Sequence, residues 1–154
     1  MERRSLRFAD FAAVLRDADA LLAGGYERAG NWSLGQVSTH LAKVVEMSLD
    51  GFPWYLPWPL TALARWVALG AILRHEPTRR RHRAPKFLDP GDAAEDRAGV
   101  ERLRAALARL QAHAGPMKPS PIFGRLTPEQ WREVHLWHCE HHLSFLLPRG
   151  AAAG

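Results

Sequence analysis

Four stretches of this chain repeat their apolar residues every three or four positions, and each is closed by glycine or proline. That period belongs to the α-helix, with about 3.6 residues per turn, and no stretch shows the two-residue alternation of a half-buried strand. The expected fold is therefore all-α: a four-helix bundle with one extra short helix and a basic connecting loop. At 154 residues the chain is the size of one domain, taken as 1–147, with 148–154 a disordered tail.

The first helix is expected over 6–23, with Ser5 as its cap and Phe8, Phe11, Ala12, Leu15, Ala18 and Leu22 along one stripe. The second, 33–50, opens on Ser33 and Gln36, the pair that makes a capping box, and turns Val37, Leu41, Val44 and Ser48 inward. A helix over 92–113 follows from Val100, Leu103, Leu107 and Leu110. The last, 128–147, starts at "TPEQ", with Thr127 as cap, Pro128 in the first turn and Gln130 closing the box. Trp32 and Trp131 stand at two of these helix starts and are expected to be buried there.

Residues 52–73, "FPWYLPWPLTALARWVALGAIL", are apolar enough to raise a membrane span. Three prolines break the first third, and Arg65 at mid-span would cost about 2.5–3.5 kcal/mol. A short buried helix over 59–74 is the expectation in its place. Directly after it, "RHEPTRRRHRAPK" (74–86) holds six Lys/Arg against one Glu, which is the whole of the formal charge of +5. The high pI thus reports one basic loop and weakens any general case for nucleic-acid binding.

A single cysteine, Cys139, excludes an internal disulfide and fits a reducing compartment. The N-terminal sequence makes a poor signal peptide, so the cytoplasm is the expected location. Cys139 itself reads as a small buried group.

The densest chemical signal is "VHLWHCEHHLSFL" (134–146), with four histidines in eight positions. His135, His138 and His142 share one side of the last helix at about 100° per residue, and His141 lies further round. His138 and His142 are one turn apart, so both rings reach a cation from the same side, although His135 and His138 form a competing pair. A third ligand must come from elsewhere, and His40, bordering the apolar face of the second helix, is the best placed. His75, His82 and His113 sit in or beside loops and are expected to be exposed. Glu46, Asp50, Glu133 and Glu140 are all open as a general base, so catalytic residues stay unassigned.

"NWSLGQVSTHLAKV" resembles the second-helix signature of the DinB/YfiT-like superfamily, and "FGRLTPEQWREVHLWHCEHHLSFL" resembles its last-helix signature. The resemblance runs in order over most of residues 31–147. It implies a four-helix bundle with a three-histidine site for a divalent ion, nickel or zinc, held by His40, His138 and His142. It further implies a small-molecule partner at the metal and either metal-dependent hydrolysis or thiol-dependent transferase chemistry. One departure is visible: relatives in this branch often carry His-Pro ahead of "FG", where this chain has Ser120-Pro121.

Two other readings stand beside it. The aromatic and basic segment 52–86 could serve a non-catalytic module that binds an anionic membrane or nucleic acid. The plainer reading of that segment puts Trp54, Tyr55, Trp58 and Trp66 in the core and leaves the arginines as a solvated loop. The bundle could also be a dimerising unit, a homodimer with a degenerate site.

Overall fold

The computed structural model describes residues 2–77, 85–91 and 95–150, and among them the chain is mostly helical. Helix α1 (Phe11–Gly24) is capped by Asp10, whose carboxylate accepts from the Ala13 amide at 2.7 Å. The expected start at Ser5 is thus corrected. Ahead of Asp10 the backbone finds partners outside any helix: the Arg4 amide donates to the Ser144 carbonyl at 2.9 Å and the Phe8 amide to the Glu140 carboxylate at 2.8 Å. The Arg4 guanidinium forks onto Asp17 at 2.7 and 2.8 Å and holds this segment along α1.

Helix α2 (Leu34–Asp50) opens on the expected capping box, with the Gln36 amide donating to Ser33 Oγ at 3.2 Å and the Ser33 amide donating to Gln36 Oε1 at 2.9 Å. Helix α5 (Asp96–Ala112) lies so close to α2 that a Cβ on Gly99 would meet the Gly35 carbonyl oxygen at 2.4 Å. Asp96 ties the crossing further, accepting from the Gly35 amide at 2.7 Å and from the Tyr26 hydroxyl at 2.8 Å. Asp92, expected to open this helix, lies outside the described residues. Helix α6 (Pro128–Leu143) begins with the expected Thr127 capping box and packs against α1 and α2. These four helices share one core, to which Val14, Leu41, Leu103 and Leu136 each contribute a fully buried side chain.

Two expectations fail in this part of the fold. Helix α6 stops at Leu143, four residues early, because the chain turns there and continues as a strand. That strand, β2 (Leu146–Pro148), pairs antiparallel with β1 (Tyr26–Arg28) in the register Tyr26↔Pro148, Glu27↔Leu147, Arg28↔Leu146. The sheet is therefore a small addition to an otherwise helical chain, and residues 151–154 of the expected tail lie outside the described residues.

The segment after α2 departs most from expectation. Helix α3 (Trp58–Ala64), a π-helical turn (Arg65–Leu69) and helix α4 (Gly70–Leu73) run on as one rod, close to the expected 59–74. The rod is not buried. Only Leu69 is enclosed, while Trp58 is 79% exposed, Trp66 83% and Val67 64%, and Trp54 and Tyr55 are exposed as well. It is fastened by backbone contacts from one side: Arg65 donates to the carbonyls of Phe123 and Arg125, and the Leu56 amide to that of Pro121. No helix among the described residues is long and apolar enough to cross a membrane.

Of the basic connection, residues 78–84 lie outside the described residues. Beyond them a single 3-10 turn, Lys86–Leu88, appears where an irregular chain was expected. Its attachment to α2 shapes the site.

Candidate metal centre

Gln36, His40 and Lys43 are spaced four and three residues apart, so they line one side of α2. Each donates to a main-chain carbonyl of the segment 85–91: Gln36 to Gly91 at 2.9 Å, His40 Nδ1 to Leu88 at 2.9 Å, and Lys43 to Asp89. That segment is strapped across α2 by three bonds, the middle one from the imidazole. A carbonyl only accepts, so the His40 proton sits on Nδ1 and the neutral ring keeps a free lone pair on Nε2.

That Nε2 faces His138 Nε2 at 3.2 Å. His142, one turn further along α6, brings its ring centroid within 4.6 Å of both His40 and His138. One nitrogen from each of the three rings lies within 4.8 Å of the other two. Two nitrogens bound to one zinc ion at about 2.0–2.1 Å with tetrahedral angles stand about 3.4 Å apart, so the His40–His138 pair is already at ligating separation. The donor set fits a borderline divalent ion: imidazole nitrogens alone, contributed by two rigid helices, with Leu88 orienting one of them.

The protonation state fits too. Burial lowers the His40 pKa, with Lys43 adding to the effect and the Leu88 hydrogen bond opposing it. Burial, and then the neighbouring imidazoles, hold His138 and His142 well below the ordinary histidine value of 6.5. At neutral pH all three rings are neutral and able to bind metal. Trp32 forms a wall, stacked on His142 at 5.5 Å between centroids and tilted against His40 at 4.9 Å. It is half-buried, which corrects the expectation that it fills the core, whereas Trp131 is buried as expected.

The remaining histidines separate cleanly. His135 is sealed in the core, stacked on Trp131 at 5.0 Å, with burial pushing its pKa down to about 3. The Ser48 hydroxyl proton goes to the Val45 carbonyl, so His135 Nε2–H donates to Ser48 Oγ at 3.1 Å and the ring is a structural partner of α2. His141 stacks on Trp137 at 5.7 Å and meets the His142 ring edge-on at 4.9 Å, and the converging set of nitrogens does not include it. His113 is exposed as expected, and His82 lies outside the described residues.

His75 contradicts its expectation. Its side chain is 1% exposed, with Nδ1 2.7 Å from Glu140 and Nε2 2.8 Å from Glu133. A left-handed backbone, φ 56°, at the end of α4 turns it between those two carboxylates. Nothing in the loop composition around it signalled this; the relevant carboxylates are seven residues apart on α6.

The four acids considered as general bases are all engaged elsewhere. Glu46 binds Arg102, Asp50 binds Arg109, and Glu133 and Glu140 share His75. Cys139 is buried as expected, and burial, with Glu140 adding to it, pushes its thiol up to about 12, so it carries no thiolate at neutral pH.

A family model described as a protein of unknown function, DUF1569, matches residues 1–149, and the chain belongs to that family. No curated protein and no solved structure matches it.

Proposed function

We propose that this chain is a divalent-metal-binding protein of the DinB/YfiT-like type, a four-helix bundle that holds nickel or zinc through His40, His138 and His142. The observation that carries the reading is the convergence of three neutral imidazoles from two helices, their nitrogens within 4.8 Å of one another. A bound ion with three such ligands keeps open positions, where it supplies Lewis acidity and lowers the pKa of a coordinated water or thiol.

The chain's own residues define the rest of the proposal. Leu88 fixes the His40 tautomer, and Trp32 offers a flat apolar wall beside the ligands on which a small molecule can rest. Both Cys139 and the paired acids Glu46, Asp50, Glu133 and Glu140 are removed from the chemistry by burial or by their partners. The nucleophile in this reading is therefore external: water in a hydrolase, or a low-molecular-weight thiol in a transferase. A cytoplasmic location, where such thiols are abundant, belongs to the same proposal.

The test is metal content and affinity. Purified protein, stripped and then titrated with nickel and with zinc, is expected to take up one ion per chain. His138→Ala and His142→Ala are each expected to lose tight binding, and His113→Ala to retain it. Uptake that is absent, or unaltered in the two α6 variants, rejects the reading.

A further inference from the structure

Segment 85–91 crosses α2 on three hydrogen bonds, and the middle one comes from a proposed metal ligand, His40. Gln36 donates to the Gly91 carbonyl one turn before it along α2, and Lys43 to the Asp89 carbonyl one turn after it. Bonds inside the segment give it a fixed shape: the Leu88 amide donates to Pro85 at 2.9 Å, the Asp89 amide to Lys86 at 3.2 Å, and the Gly91 amide to the Asp89 carboxylate at 2.9 Å. His40 is thereby engaged through both ring nitrogens, with Nδ1–H on the Leu88 carbonyl and Nε2 facing His138 at 3.2 Å. Helix α6 alone sets His138 and His142 one turn apart, whereas His40 comes singly from α2. The direction of its ring therefore decides whether a third nitrogen joins them. A ring turned over, or carrying its proton on Nε2, would offer the site no lone pair.

We infer that Gln36 and Lys43 are positioning residues of the metal centre, fastening segment 85–91 so that Leu88 holds His40 with Nε2 directed at His138 and His142. The inference rests on the metal reading above and adds to it two residues that touch no metal. Segment and ion share the His40 ring, so the linkage is reciprocal: fastening raises metal affinity, and a bound ion fastens the segment. Charge alone favours the opposite role for Lys43. An ammonium three residues from a ligand repels a divalent ion, so removing it should tighten binding, whereas removing a fastener should weaken it.

The experiment is zinc titration of the stripped protein against a competing chelator, combined with backbone hydrogen exchange. Lys43→Met keeps the aliphatic stem and removes the donor to Asp89. Gln36→Glu keeps the capping box, since a carboxylate accepts from the Ser33 amide as the glutamine oxygen does, and removes the donor to Gly91. Each substitution also makes α2 more negative, so charge alone would raise the affinity for zinc. The double variant is expected to bind zinc about tenfold or more weakly, with the helical circular dichroism unchanged, and each single variant to move in the same direction. In the unaltered protein zinc is expected to slow exchange of the Leu88 and Asp89 amides, a readout that needs no variant.

Zinc affinity unchanged or raised in the variants overturns the inference and leaves the metal reading standing. Exchange at Leu88 and Asp89 that ignores bound zinc has the same consequence. An unaltered protein that takes up no zinc overturns both.

Discussion

Replacing Gly99 by Ala tests the packing that positions α2, the helix carrying His40. The new methyl group would lie 2.4 Å from the Gly35 carbonyl oxygen and 2.7 Å from its Cα, where ordinary contact begins at 3.4 Å. The two helices must therefore part by about 1 Å, a gap that forfeits roughly a quarter to a half of the dispersion attraction between the surfaces it opens. Those surfaces include Leu34, Val37, Val100 and Leu103, all in the core. Overpacking costs about 1–3 kcal/mol, and the upper end applies because the obstruction is backbone, which has no rotamer to change. Alanine regains about 1 kcal/mol of helix propensity over glycine, leaving a net loss of about 2 kcal/mol. Urea denaturation of the metal-free protein measures this directly. Gly24→Ala is the control: a Cβ there meets nothing within 4 Å, so the propensity gain should appear without the clash. A Gly99→Ala protein as stable as the parent would refute the close crossing of α2 and α5.

Trp131→Ala should cost about 3–5 kcal/mol in the same assay, as expected for a buried indole, while half-buried Trp32→Ala should cost distinctly less; equal losses would contradict the assignment of Trp32 to the site wall. His75→Ala should cost about 1–3 kcal/mol, because the Glu140 carboxylate, with 7% of its side chain exposed, loses the ring nitrogen it holds at 2.7 Å; a loss below about 0.5 kcal/mol would mean the His75 contact is dispensable. Stability of the metal-free protein should fall as the pH drops below 6.5. His135 and the three site histidines have folded-state pKa values below that of the unfolded chain, so the unfolded chain takes up protons first. Each such group removes up to about 1.4 kcal/mol per pH unit, down to about pH 3 for His135; a urea midpoint unchanged between about pH 7.5 and pH 5 would contradict the buried neutral rings.

Sequence was most informative where the determining interaction is local. The capping boxes at Ser33 and Thr127 close within four residues, and both are present. His138 and His142 are one turn apart whatever the helix packs against, and His40 on its apolar border needed only the right neighbour. Contacts between distant segments were less legible. Strands β1 and β2 have three residues each, too few to show alternation, and each is defined by the other. Ser5 was the expected cap and Asp10 is the observed one, because Glu140 and Ser144, far along the chain, engage the backbone at Phe8 and Arg4 ahead of the helix. The rod from Trp58 to Leu73 failed for another reason. Apolar sequence encodes removal from water without stating what covers it, so a face turned outward reads like one turned in.

The central claim is that one divalent ion is held by three imidazoles from α2 and α6, and X-ray absorption at the metal edge of the nickel- or zinc-loaded protein tests it most directly. With zinc, the first shell is predicted to contain three imidazole nitrogens at about 2.0–2.1 Å and no sulfur, with one imidazole lost in His40→Ala. A sulfur scatterer at about 2.3 Å, or a shell that is the same with and without His40, would contradict it.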